Sequence, residues 1–109
     1  MKVIFKIISV ILISSILFGC VPKTENQVLN QARYDFQSKN YSHAFNALMP
    51  LAKNNNAQAQ YSIGYMYYYG LGVMENTKQA KYWIEKSAKN GNSNAIRALE
   101  IEKFPHAGL

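Results

Sequence analysis

The sequence predicts an all-α fold, a short α-solenoid of stacked helix pairs, and three observations carry that prediction. Ala44 is matched by Ala80, Leu48 by Ile84, Ala52 by Ala88, Lys53-Asn54 by Lys89-Asn90 and Ala59 by Ala95, always 36 positions apart. A fixed spacing of that size marks a repeat built from two helices that bury their apolar faces on their neighbours. Within each repeat, apolar residues fall at helical intervals, as in Val28, Ala32 and Phe36 or Ala44, Phe45, Leu48, Leu51 and Ala52. Between these stripes lie Asn- and Gly-rich breaks that end one helix and start the next.

The elements follow in order. Residues 1–20 read MKVIFKIISVILISSILFGC, with Lys2 and Lys6 at the start and an apolar stretch from Ile7 to Phe18 interrupted only by serines. A bilayer-spanning helix needs about 20 apolar residues, so this shorter stretch reads as the hydrophobic region of a signal peptide over 1–19. Residues 20–26 follow as a polar tether containing Pro22, and the helical domain is expected over 27–109. Its first helix is placed near 27–38 and its second near 42–53, with Pro50 bending or ending the latter because proline lacks a backbone donor. Asn56 is read as the cap of a third helix over 57–69. Gly70-Leu71-Gly72-Val73 breaks the chain, Asn76 or Thr77 caps a fourth helix, and Gly91 stops it in the left-handed region. Ser93 opens a fifth helix that runs toward Lys103, before Pro105.

Composition bounds what such a domain can do. The chain has 109 residues, of which 90 remain after the leader, enough for one modest core that buries about 60–65% of the unfolded surface. The formal charge of +6 includes Lys2 and Lys6, so the remainder carries a surplus of four. Such a surplus suits an anionic lipid surface or an acidic partner, and equally a plain solvated surface. A single cysteine excludes an intramolecular disulfide, leaving packing as the source of stability.

Two resemblances sharpen this reading. Leu17-Phe18-Gly19-Cys20 resembles the lipobox of bacterial lipoproteins, which implies that Cys20 becomes the multiply acylated first residue of the mature protein. Val21 is not the aspartate associated with retention in the inner membrane, so the resemblance implies an outer-membrane lipoprotein of the cell envelope, facing the periplasm. Residues 57–92 resemble a complete Sel-one-like repeat, a relative of the tetratricopeptide unit, through Ala59-Gln60, Ile63-Gly64, Tyr67, Gly70, Gly72-Val73, Ala80, Trp83, Ser87-Ala88 and Gly91-Asn92. Residues 32–56 resemble the degenerate opening unit of that family. The likeness implies a right-handed stack of about two and a half helix-turn-helix repeats. It also implies a protein-interaction role, as an adaptor or assembly factor or as an immunity lipoprotein that neutralises a toxin such as a phospholipase. Hydrolase relatives pair cysteines within each repeat, and this chain has none to pair.

No catalytic, cofactor-binding or metal-binding set is expected. His43 and His106 stand far apart without the neighbouring ligands that zinc requires. Glu100 and Glu102 are two apart and face different sides of a helix. Gly70-x-Gly72 lacks the Lys-Ser/Thr that completes a phosphate loop, and nucleic acid is not an expected partner. The candidate contact residues are instead Ser62, Tyr65, Met66 and Tyr69, one stripe of the third helix. In tetratricopeptide-like stacks the first helix of each pair lines the concave face, and tyrosine and methionine suit binding surfaces. The 36-residue period extends the stripe to Ala98 and Ile101. Partners are thus expected to be an envelope protein and, through lipid on Cys20, the membrane, with self-association favoured by the small number of repeats.

Overall fold

A computed structural model describes Gly19 and residues 21–100, so the leader up to Phe18, Cys20 and the residues from Ile101 onward lie outside the described residues. Among the described residues the chain forms five helices and no strand: α1 (Glu25–Gln37), α2 (Tyr41–Lys53), α3 (Ala57–Tyr69), α4 (Thr77–Lys89) and α5 (Ser93–Glu100). Each helix packs on the next, as a short helical solenoid requires. None of these helices is long and apolar enough to cross a membrane.

Local chemistry sets the boundaries. Thr24 Oγ1 accepts from the Gln27 amide at 3.3 Å while Gln27 Oε1 accepts from the Thr24 amide at 2.9 Å, a reciprocal cap. That pair starts α1 at Glu25, two residues before the expected position. Asn56 and Asn76 cap α3 and α4 through the amides of Ala59 (2.9 Å) and Gln79 (3.0 Å), and Asn92 caps α5 through Ala95 (3.0 Å). The ends share one device. Lys39, Asn55, Gly70 and Gly91 adopt φ of 61°, 67°, 64° and 87°. In each case the following amide returns to a carbonyl five residues back: Asn40 to Asp35, Asn56 to Leu51, Leu71 to Met66 and Asn92 to Ser87.

Of the two effects expected of Pro50, a bend or an end, it does not end α2, which runs to Lys53. It sits in the last turn, where its missing N–H leaves unpaired only the carbonyl of Asn46, an exposed residue. The Asn54 amide meanwhile closes the helix on Pro50 and Leu51, both at 3.1 Å.

Packing is built on small residues at the helix crossings. Ala32, Ala44, Leu48, Ala52, Ala59, Ile63, Met66 and Trp83 form one buried cluster across α1 to α4, and Ile84, Ala95 and Ala98 form a second between α4 and α5. A Cβ on Gly64 would come within 2.8 Å of the Ile84 side chain and 3.1 Å of the Ala80 carbonyl, so only glycine admits this approach of α3 to α4. Tyr67 of α3 packs its ring edge-on against Phe45 of α2 at 5.3 Å. Gly72 is doubly constrained. Its φ is +69°, and a Cβ there would sit 2.6 Å from the Ser42 amide nitrogen, so the 70–76 loop lies directly on the start of α2.

Buried polar groups fix the register. Gln60, fully buried, donates to the Ala52 carbonyl and accepts from Asn90 Nδ2, both at 2.9 Å. Ser87 donates to the Ala57 carbonyl at 2.6 Å, a bond that an alanine there would not make. Trp83 is 6% exposed and its Nε1 has no hydrogen-bond partner, so its stabilising contribution is apolar contact set against an unpaired donor.

Asp35 joins α1 to α2. It is 5% exposed, accepts from His43 Nδ1 at 2.6 Å and from Gln31 Nε2 at 3.2 Å. The hydrogen bond from His43 holds its carboxyl below the ordinary 3.8, overcoming burial, which pushes the other way; Gln31 and the charges of His43 and Lys23 assist. Because the folded state releases this proton more readily than the unfolded chain, the contribution is complete above pH 3.8 and is lost as the pH falls below it. Asp35→Asn is therefore expected to lower the Tm at neutral pH and to flatten the acid limb of a Tm-against-pH curve. An acid limb of unchanged steepness in the variant would show that other carboxylates set it.

Candidate partner-binding groove

Alternation of the chain places α1 and α3, the first helices of consecutive pairs, side by side, with α2 beneath them. Between them lies an open groove of ≈ 310 Å³, with Leu29, Ala32 and Phe36 of α1, Tyr61 and Tyr65 of α3 and Leu48 of α2 as its apolar lining. Arg33, Gln37, Gln58 and Ser62 supply its polar positions, and Arg33 is the one formally charged residue among those lining it. An apolar floor with a few polar groups at its margin is the composition of a recognition surface.

Rings continue from the groove in an unbroken series. Phe36 meets Tyr41 at 5.1 Å and Tyr65 at 6.1 Å; Tyr65 meets Tyr69 at 4.6 Å, and Tyr69 meets Tyr68 at 4.9 Å. These separations are those of attractive edge-on and tilted pairs, so the series is pre-ordered before any partner arrives. Burial pushes the Tyr61 hydroxyl above its ordinary 10.0, with Tyr65 and Tyr69 adding to the effect, so it remains a neutral donor at physiological pH.

The expected contact residues divide. Ser62 and Tyr65 line the groove, and Tyr69 stands at its end, 49% exposed. Met66 is corrected: it is fully buried within the main core cluster. The residues α3 buries, Ala59, Gln60, Ile63, Gly64 and Met66, take up much of its circumference, because α2 and α4 both flank it. A side chain four residues from Ser62 can then point between those helices instead of into the groove. Ala98 is also corrected, being 5% exposed within the α4–α5 cluster. Cys20 and Ile101 lie outside the described residues.

Arg33, Leu29, Phe36, Gln37, Gln58 and Tyr61 were not among the expected contacts. A signal for two of them was available. Stepping back one period of 36 from Tyr65 and Tyr69 lands on Leu29 and Arg33, both of which line the α1 side of the groove.

The repeat can now be identified. The Sel1 repeat family model matches residues 57–92. Residues 57–92 are thus similar to a Sel1 repeat. Sel1 repeats generally mediate protein–protein interaction, and the family is a generally non-enzymatic one. The chain is also similar to a sel1-like repeat-containing protein of Acanthamoeba polyphaga mimivirus, 40% identical over 45 residues, which is 41% of this chain and 8% of that protein. It therefore spans a small fraction of the relative it matches. No solved structure matches the chain. The Sel1 unit runs from α3 through the turn after α4, so the groove lies where this unit meets the preceding one.

The two tyrosines should separate experimentally. Tyr65→Ala removes ring contacts to Phe36 and Tyr69 and should lower stability by about 1–2 kcal/mol in urea unfolding. Tyr69→Ala should shift it by less than about 1 kcal/mol. Far-ultraviolet circular dichroism should remain that of a helical protein in both. Equal losses would mean that Tyr69 is as much a part of the core as Tyr65.

Proposed function

We propose that this protein is a membrane-anchored interaction module of the bacterial cell envelope, held by lipid on Cys20 and binding a protein partner in the groove between α1 and α3. The observation that carries the reading is the groove itself. It is apolar at its floor, ringed by polar side chains, flanked by pre-ordered tyrosines and placed at the junction of a Sel1 repeat with its neighbour. Such a surface recognises a segment of another chain, and the family's general role in protein–protein interaction agrees with it. The leader and the Leu-Phe-Gly-Cys box support the anchor, and Val21 supports the outer membrane, with the domain facing the periplasm as an adaptor or assembly factor.

Two experiments test the two halves. Cys20→Ser should move the protein from the membrane to the soluble fraction and abolish incorporation of labelled fatty acid. Unchanged fractionation and labelling would overturn the anchor. For the groove, a photocrosslinking residue at position 62 should capture an envelope protein that the same residue at Tyr34, exposed on α1 away from the groove, does not. Ser62→Trp should fill the groove and abolish that capture in a competition pull-down. Equal capture from both positions would overturn the groove as the binding surface.

A further inference from the structure

We propose that one edge of the solenoid, formed by the ends of α2 and α4, rests on anionic lipid headgroups, so that the helices stand upright on the membrane and the groove opens sideways along it. The proposal rests on the lipid-anchor reading above and adds an orientation and a lipid class to it.

The first argument is reach. Thr24 is locked into the cap of α1, so only the residues from Val21 to Thr24 separate that helix from Cys20, and they span at most about 14 Å. α1 has 13 residues and is about 20 Å long. The tether is thus too short to run the length of α1 and invert the domain, and the edge where α1 begins is the one brought to the membrane. The second argument is topology. Asn56 Nδ2 donates to Glu25 Oε2 at 3.2 Å, which puts the α2–α3 turn at that same edge. Asn90 bonds to Gln60 and Ser87 to the Ala57 carbonyl, which brings the α4–α5 turn alongside.

The third argument is chemistry. The last turns of α2 and α4 carry Lys53, Lys86 and Lys89, and the turns that follow are rich in asparagine. Lys86 is held at 5.6 and 5.5 Å from the ring centres of Tyr82 and Trp83. The two acids nearby are engaged within the protein: Glu25 with Asn56, and Glu85 with Lys81 at 3.9 Å. Lys53 and Lys89 have no ion-pair partner among the described residues. The opposite edge carries two lysines, Lys39 and Lys78, beside Glu75, and exposes Tyr69 and Met74, the latter 87% exposed. A lysine near an anionic leaflet contributes about 1 kcal/mol, which corresponds to about a fivefold change in occupancy.

The lysines themselves report the outcome. The chain from Cys20 onward, coupled through its sole cysteine to a maleimide lipid, is placed on vesicles of phosphatidylcholine with or without phosphatidylglycerol. Its amines are then footprinted by an acylating reagent and mass spectrometry. Because coupling imposes the anchor, failure here concerns the edge alone, whereas failure of the anchor is read from Cys20→Ser in cells. On anionic vesicles Lys53, Lys86 and Lys89 should be protected about fivefold, while Lys39 and Lys78 at the opposite edge keep their reactivity. Neutral vesicles or 1 M salt should abolish the protection. Lys53→Glu with Lys89→Glu should remove it from Lys86 with circular dichroism unchanged. Protection of all five lysines alike, of Lys39 and Lys78 alone, or of none would overturn the proposal.

Discussion

The amide of Gln60 is the constraint on which the rest of the stack depends. A primary amide enclosed in an apolar interior must find partners or cost several kilocalories per mole. Gln60 finds them on both sides, at the Ala52 carbonyl before α3 and the Asn90 side chain after α4. One side chain thereby fixes the phase of three successive segments, and only one register satisfies it. The surrounding alanines set the spacing, but apolar contact alone tolerates sliding. Ser87 adds a second fixed point against the Ala57 carbonyl, on the same side of the stack. One period further on, the place of Gln60 is taken by Ile96, 39% exposed, so among the described residues this clasp is not repeated there.

Sequence and structure agree where the determinants are local. Asn56 and Asn76 cap helices because an oxygen on a short side chain reaches the third amide, and Gly91 closes one because it has no Cβ. The 36-residue period marks repeat structure independently of any coordinate. Disagreement begins where the determinant is the neighbour. Asn55 takes the same left-handed role as Gly91, as asparagine readily does, but Lys39 takes it too and nothing in its chemistry announces it. Asp35 and His43 sit eight residues apart across a turn, and their bond exists only because Lys39 folds α2 back onto α1.

The groove shows the same division. Helical periodicity identified the stripe containing Ser62, Tyr65 and Tyr69, but a helix flanked by two others has several buried sides and no single apolar face. Met66 belongs to one of those sides. On the α1 wall the apolar stripe already marks Ala32 and Phe36, whereas Arg33, no more apolar than any surface residue, is reached only through the repeat period. Which polar residues border a recess is a property of two helices together, and neither helix carries it alone.

The 70–76 loop has a consequence for how such chains are divided. The segment that recurs in sequence begins at Ala57, but Gly72 seats its loop on Tyr41 and Ser42 of the preceding pair, and the main core runs from Ala32 to Trp83 across that boundary. The alphabetic unit and the mechanical unit are therefore offset by about half a repeat. A segment cut at the sequence boundaries would carry a loop with no seat and half of someone else's core. Copying or deleting whole periods preserves the offset at every junction, because each incoming loop meets an equivalent helix start. Growth of these chains by duplication then needs no new interface, only another copy of the old one.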